Sequence, residues 1–162
     1  MLELRAGLEE DFAALAEIFW RSVHEGAAPR YDAAQRRAWL PRRPTPAQFA
    51  QRIDGQVLRV AARDWIPVGF MTMTTSGYVD LAFVLPEERG RGTADALLAM
   101  LLNHARATGL ARLTVRASEM ARPFFRRHGW QALAPAPVER NGVTLLSTEM
   151  AFDLTPPVLA AE

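Results

Sequence analysis

The chain has 162 residues, 19 basic, 18 acidic and none of them cysteine, with a net charge of +1, which suits one domain able to bury a core and gives no argument for nucleic acid or an acidic partner. All 19 basic residues are arginine, so a Schiff-base lysine is excluded, as are disulfides, thiolate metal ligands and a cysteine nucleophile. No apolar run reaches the roughly 18 residues of a membrane span and the first residues lack a signal-peptide profile, so a cytoplasmic protein is expected.

Leu2–Ala6 alternates and predicts a short first strand. Phe12, Leu15, Ala16, Phe19 and Val23 recur at helical spacing and predict an amphipathic helix over 8–24. A break follows over 25–30, with Gly26 and Pro29. Asp32 with Gln35 reads as a capping box opening a second helix to about Leu40, closed by Pro41 and Pro44. Thr45-Pro46-Ala47-Gln48 opens a third helix, which ends near Asp54-Gly55. Strands over 56–62 and 67–74 follow, joined by a hairpin connection at 64–67, and Ser76-Gly77 turns into a strand over 78–85. Three strands in a row predict an antiparallel meander.

That strand leads into Arg89-Gly90-Arg91-Gly92-Thr93-Ala94, after which Ala94, Leu97, Leu98, Leu101 and Ala105 mark a helix ending at Gly109. The strand Arg112–Arg116 follows and, across a strand–helix connection, should lie parallel to 78–85. Ser118–His128 reads as a short helix closed by Gly129. Two late strands, 131–138 and 143–154, are turned by Asn141-Gly142, and 155–162 is a loose tail. The domain therefore spans 1–154.

The glycine loop between strand and helix is the chemical signal. The first turn of a helix carries free N–H groups and partial positive charge, and glycines let that backbone close on a phosphate. Arg89 and Arg91 add positive charge. A Walker loop needs a lysine after its glycines, and a dinucleotide fingerprint needs a small residue where Asp95 stands. The stretch instead resembles motif A of the GNAT superfamily, the Gcn-related N-acetyltransferases, with the pattern Arg/Gln-x-x-Gly-x-Gly/Ala met by Arg89, Gly92 and Ala94 and an upstream Val84-Leu85-Pro86. A second family signature, Asn-x-x-Ala-x-x-Phe-Tyr-x-x-x-Gly-Phe, reads here Ser118-Glu-Met-Ala121-Arg-Pro-Phe124-Phe125-Arg-Arg-His-Gly129-Trp130. Tyr31–Trp39 is similar to the YafP-like bacterial branch.

The resemblance, which covers about Leu2 to Leu154, implies an α+β (α/β/α) fold with a mixed, mostly antiparallel sheet of about seven strands between helices. It implies acetyl-CoA as cosubstrate, with no metal. The pantetheine arm would pair with the backbone of Ala82, Phe83 and Val84. The pyrophosphate would sit on the N–H groups of Gly90, Arg91, Gly92, Thr93, Ala94 and Asp95, beside Arg89. Ser118, Phe124 and Phe125 complete the implied cofactor site.

Acetyl transfer to an amine has a proton problem, because an alkyl ammonium has a pKa near ~10. Period two places Asp80, Ala82 and Val84 on one strand face, and several family members carry a catalytic glutamate at the position of Asp80. Asp80 is therefore the candidate general base, acting through water; the alternative is an acid hydrogen-bonded at the sheet edge or paired with an arginine. The family's usual tyrosine acid is replaced by Phe125, which has no proton to give. Ser118 is the candidate to bind the pantetheine or solvate the thiolate. His24, Glu25, Tyr31 and Trp39, around the break after the first helix, are candidates for the acceptor pocket.

The leading expectation is acetyl transfer to a small-molecule amine by direct attack in a ternary complex. The alternatives are a protein or peptide amine as acceptor, or an acyl-CoA-binding module whose catalysis has decayed, which Phe125 invites. Homodimers are common in the family, and the late strands offer an edge for one.

Overall fold

The computed structural model describes residues 1–154. The element order is β1 (Leu2–Ala6), α1 (Phe12–Arg21), α2 (Ala33–Trp39), α3 (Pro46–Arg52), β2 (Val57–Arg63), β3 (Ile66–Met73), β4 (Tyr78–Val84), α4 (Thr93–Ala107), β5 (Arg112–Ser118), α5 (Arg122–Arg127), β6 (Gln131–Pro135), β7 (Val138–Arg140), β8 (Val143–Leu145) and β9 (Ser147–Asp153). Seven strands form one sheet in the order β1-β2-β3-β4-β5-β9-β6, and β7 and β8 form a separate ribbon. All pairings in the large sheet are antiparallel except β4 with β5. The α+β sheet-and-helix architecture expected from the sequence is therefore present. Among the described residues no helix is long and apolar enough to cross a membrane.

Strand alternation sends apolar side chains to both faces of the sheet. On one face Leu15, Ile18, Phe19, Phe49 and Ile53 of the N-terminal segments pack on Leu58, Val60, Phe70 and Leu81. On the other, Leu97, Leu98 and Leu101 of α4 and Phe125 of α5 pack on Met71, Val79, Leu113 and Met150. Each such side chain contributes about 1.5–3 kcal/mol, enough to hold helices whose own caps are short-range. The capping boxes are formed as expected: Asp32 and Thr45 each accept from the third helical N–H, and Gln35 and Gln48 return the bond.

Several boundaries differ from the sequence expectation. The first helix is shorter than 8–24: a 3-10 turn occupies Glu9–Asp11, α1 follows, and Ser22–Gly26 winds as a π-helical turn. The expected helix over 118–128 begins only at Arg122, because Ser118 still belongs to β5, paired with Ser147. The two late strands are four. Pro137 lacks an N–H and interrupts the ladder, so 138–145 leaves the sheet as a hairpin around Asn141 (φ 50°) and Gly142 (φ 76°). The expected tail, 155–162, lies outside the described residues.

Two irregularities of β4 shape everything that follows. First, β4 and β5 pair only at Tyr78 with Thr114 and Val79 with Val115; beyond that the strands part and the sheet is split. Second, β4 has a bulge. Met73 faces Val79 and Thr72 faces Leu81, leaving Asp80 as the extra residue. The buried Thr72 hydroxyl repairs the broken rung by accepting from Leu81 N–H at 3.0 Å.

Candidate active site

The split exposes one edge of β4. Leu85 N–H donates to Val68 carbonyl at 2.9 Å, so by alternation the amide groups of Ala82 and Val84 face away from β3, into the gap. The Val84 carbonyl accepts from the Ser22 hydroxyl at 3.1 Å, a bond supplied by the π-helical turn. A cavity of about 410 Å³ runs from this edge to the start of α4. Its walls include Ser22, Ala82, Phe83, Val84, Arg89, Gly90, Gly92, Thr93, Ala94, Asp95, Ser118, Phe124, Phe125 and Arg127.

The mouth of that cavity is a helix N-terminus. Gly92 is the N-cap of α4 at φ 81° and offers no side-chain cap. The N–H groups of Gly92, Thr93, Ala94 and Asp95 have no acceptor among the described residues. A Cβ at Gly90 would meet nothing within 4 Å, so the backbone there is open to a ligand. Arg89 folds its guanidinium against Gly26, where a Cβ would come within 2.5 Å of it. Arg89 has no carboxylate partner among the described residues. These features fit a pyrophosphate.

Arg91 is different. Its guanidinium is paired with Glu88 at 2.9 Å, its N–H donates to the Glu88 carbonyl at 3.3 Å, and it is absent from the cavity wall. Of the residues expected to meet the pyrophosphate, it is the one the structure turns away. Glu88 is the post around which the loop winds. It is 3% exposed and accepts from Arg63 at 3.0 Å, Arg91 at 2.9 Å and the Thr93 hydroxyl at 2.8 Å. Burial pushes its carboxyl up, but the bonds from Arg63 and Thr93 outweigh it and hold the group below the usual range. Glu88→Ala should therefore cost about 2–3 kcal/mol in denaturant unfolding at neutral pH, the lower end for breaking a buried ion pair because both arginines reach solvent. A lowered native pKa contributes stability above the unfolded value of about 4.3 and loses it as pH falls through the native value, so the gap between wild type and variant should close in acid.

A second cavity, of about 520 Å³, lies on the α1–α3 side. Phe19, Trp39, Phe49, Leu81 and Phe83 make its apolar wall; Phe19 and Phe83 stack at 4.9 Å and Tyr31 meets Trp39 edge-on at 5.3 Å. Asp80 is its one carboxylate among the described residues. The bulge turns Asp80 toward α3, where it is ion-paired with Arg52, including a 3.0 Å contact from Nη2 to Oδ1, and accepts from Gln56 Nε2 at 2.8 Å. Burial raises the Asp80 carboxyl, but the bonds from Arg52 and Gln56 together prevail and hold it below the usual carboxylate range. Ala82 and Val84 pack against the opposite core, so Asp80 does not share their face as period two predicts. The extra residue at the bulge is the reason.

The two cavities meet. Trp39, Ala82, Phe83, Ser118, Ala121 and Phe125 line both. At this junction the Ser118 hydroxyl accepts from Ala121 N–H at 3.1 Å. The buried Tyr31 hydroxyl donates to the Leu146 carbonyl at 2.6 Å and accepts from Glu119 N–H at 2.8 Å; burial pushes its pKa up. Among the described residues no group of three or more acids and histidines is placed to hold a metal.

Residues 27–152 match the model of an acetyltransferase (GNAT) domain. The chain is 32% identical over 151 residues to the uncharacterized N-acetyltransferase YafP of Escherichia coli K12, covering 93% of this chain and 95% of that one. The chain belongs to the GNAT acetyltransferases. A crystal structure of a Gcn5-related N-acetyltransferase from Rhodopseudomonas palustris superposes with a TM-score of 0.87 at 34% identity, over 93% of this chain and 94% of that one. The fold is shared further with a phosphinothricin acetyltransferase from Sinorhizobium meliloti, crystallised with acetyl-CoA, at TM-score 0.72 and 20% identity over 94% and 88% of the two chains.

Within this GNAT scaffold, the structure gathers most of the sequence-predicted residues at the two cavities, but not all. His24 meets the Trp20 ring at 3.9 Å, tilted by 33°, and its Nε2 meets the Leu40 carbonyl at 2.8 Å. Glu25 is exposed and tied to Arg21 at 2.9 Å. Neither lines either cavity, because the π-helical turn rotates both away, whereas Tyr31 and Trp39 do reach the wall. Sequence reasoning missed Ser22, Arg52, Glu88 and Arg127. Arg52 ends a capped helix and reads as a solvated charge, and Glu88 finds its partner Arg63 25 residues away. Arg127, which lies over the Phe124 ring at 5.7 Å, is one of several arginines in that segment.

Proposed function

We propose that this acetyltransferase moves the acetyl group of acetyl-CoA to a primary amine of a small molecule, by direct attack within a ternary complex. The observation that carries this reading is the pair of cavities joined at Ser118, Phe125 and Trp39: one has an anion-binding helix entry, the other an apolar wall with one carboxylate. Acetyl-CoA supplies an activated thioester. The unpaired N–H groups at Gly92–Asp95, with Arg89, hold its pyrophosphate, and the free edge of β4 at Ala82 and Val84 takes the pantetheine arm as an added strand would. Phe124 and Phe125 flank the arm.

The amine enters from the larger cavity. Asp80 is the general base, taking the proton through a water, because both its oxygens already hold Arg52 or Gln56. Such a base contributes typically ~10²–10⁴-fold. The new bond is amine nitrogen to acetyl carbon, the bond broken is carbon to sulfur, and water at the Ser118 hydroxyl protonates the thiolate, since Phe125 cannot.

Isothermal titration of the purified protein with acetyl-CoA tests the reading without a guess about the acceptor. One-site binding with a micromolar Kd is expected. A folded sample that takes up no acetyl-CoA refutes the proposal.

A further inference from the structure

The ionisable lining of the larger cavity is lopsided. Among the described residues, apart from tyrosines, it consists of Arg52, Arg116, Arg140 and Asp80, three positive charges against one negative. The Asp80 charge is already taken by Arg52. Arg116, on β5, and Arg140, on the β7–β8 hairpin, make no hydrogen bond or ion pair with another side chain of the described residues. The hairpin that carries Arg140 is fastened over the cavity, Asn141 Nδ2 donating to the Ala38 carbonyl at 3.1 Å and Gln35 Nε2 to the Thr144 carbonyl at 3.4 Å. Arg140 is thus held in place with no ion pair among the described residues, its charge felt by Asp80 only at longer range. Among the described lining residues guanidinium groups outnumber carboxylates, so an acceptor with an anionic group suits this wall better than a simple ammonium does.

Taking this cavity as the acceptor pocket of the proposed reaction, we infer that the acceptor is an amine that also carries a carboxylate, and that Arg116 and Arg140 receive that carboxylate. A guanidinium fork matches a carboxylate in two-point geometry. An anionic group draws the molecule toward these guanidinium groups.

Two matched pairs test this: L-phenylalanine against phenethylamine, and γ-aminobutyrate against n-propylamine. Each pair differs by the carboxylate. CoA thiol release gives kcat/KM, and isothermal titration of each amine into the CoA complex gives binding without turnover. The carboxylate member of at least one pair should be favoured by about tenfold or more, as for a charge-assisted hydrogen bond of roughly 1.4 kcal/mol or more. The preference should collapse toward unity in the Arg116→Gln/Arg140→Gln protein, whose two exposed substitutions leave the fold alone. Equal or better use of the neutral amines, no preference in either readout, or a preference that survives the double substitution overturns the inference. Preferential binding without thiol release supports anion recognition and counts against acetyl transfer, so the two failures are separate.

Discussion

Gly92→Glu should abolish calorimetric binding of acetyl-CoA, a loss of at least about a hundredfold. Two effects add. Gly92 sits at φ 81°, where a side chain costs roughly 1–2 kcal/mol. The new carboxylate would stand at the helix entry where the pyrophosphate is proposed to bind, and like charges about 4 Å apart repel by about 4 kcal/mol at an effective dielectric constant near 20. A hundredfold change needs only about 2.8 kcal/mol. The control lies at the other end of the same region: Gly109 has φ 79° with open space around it, so Gly109→Glu imposes the same strain far from the cavity. If both variants lose binding equally, the loss reports fold damage and the anion site is refuted; binding retained by Gly92→Glu refutes it as well.

Asp80→Asn should lower kcat/KM by about 10²–10⁴-fold with acetyl-CoA affinity unchanged. Asparagine keeps the shape and loses the base. The companion variant is Arg52→Gln, whose effect is read in the pH profile. Arg52 helps hold the Asp80 carboxyl below its usual range, so in wild type the acid limb of kcat/KM lies low, where the base finally protonates. Removing Arg52 lets that carboxyl rise, and the acid limb should move to higher pH while the alkaline plateau persists. Full turnover by Asp80→Asn, or an acid limb indifferent to Arg52, would strip Asp80 of this role and leave it as the anchor that ties α3 to β4.

The parts of the fold legible in sequence are those written in local chemistry. Asp32 with Gln35 and Thr45 with Gln48 name their helix starts because a cap needs only its own first turn. Asn141-Gly142 names its turn because both residues must take positive φ. The two β4 irregularities were not legible. A bulge at Asp80 depends on what Thr72 offers across the ladder, and the split between β4 and β5 depends on two strands 34 residues apart at Tyr78 and Arg112 agreeing to pair for only two positions. The site divides the same way. The glycine loop is a local motif that the sequence displays directly, whereas Glu88 and Arg52 act through partners brought close only by folding. The hairpin connection expected at 64–67 is there as the turn at Asp64-Trp65, both at positive φ with Trp65 largely exposed, and nothing in the structure explains the choice of tryptophan.

The split sheet also has a mechanical meaning. One half, β1 to β4, and the other, β5, β9 and β6, are joined edge to edge by two residue pairs alone, with α4 packed on the first half and α5 on the second. A ligand arm laid along the free edge of β4, as proposed, would lie in that seam between the two halves. Such a molecule would be a structural member while bound, stiffening the joint that its departure loosens, and cosubstrate entry and product exit would then be tied to how freely the two half-sheets move against each other.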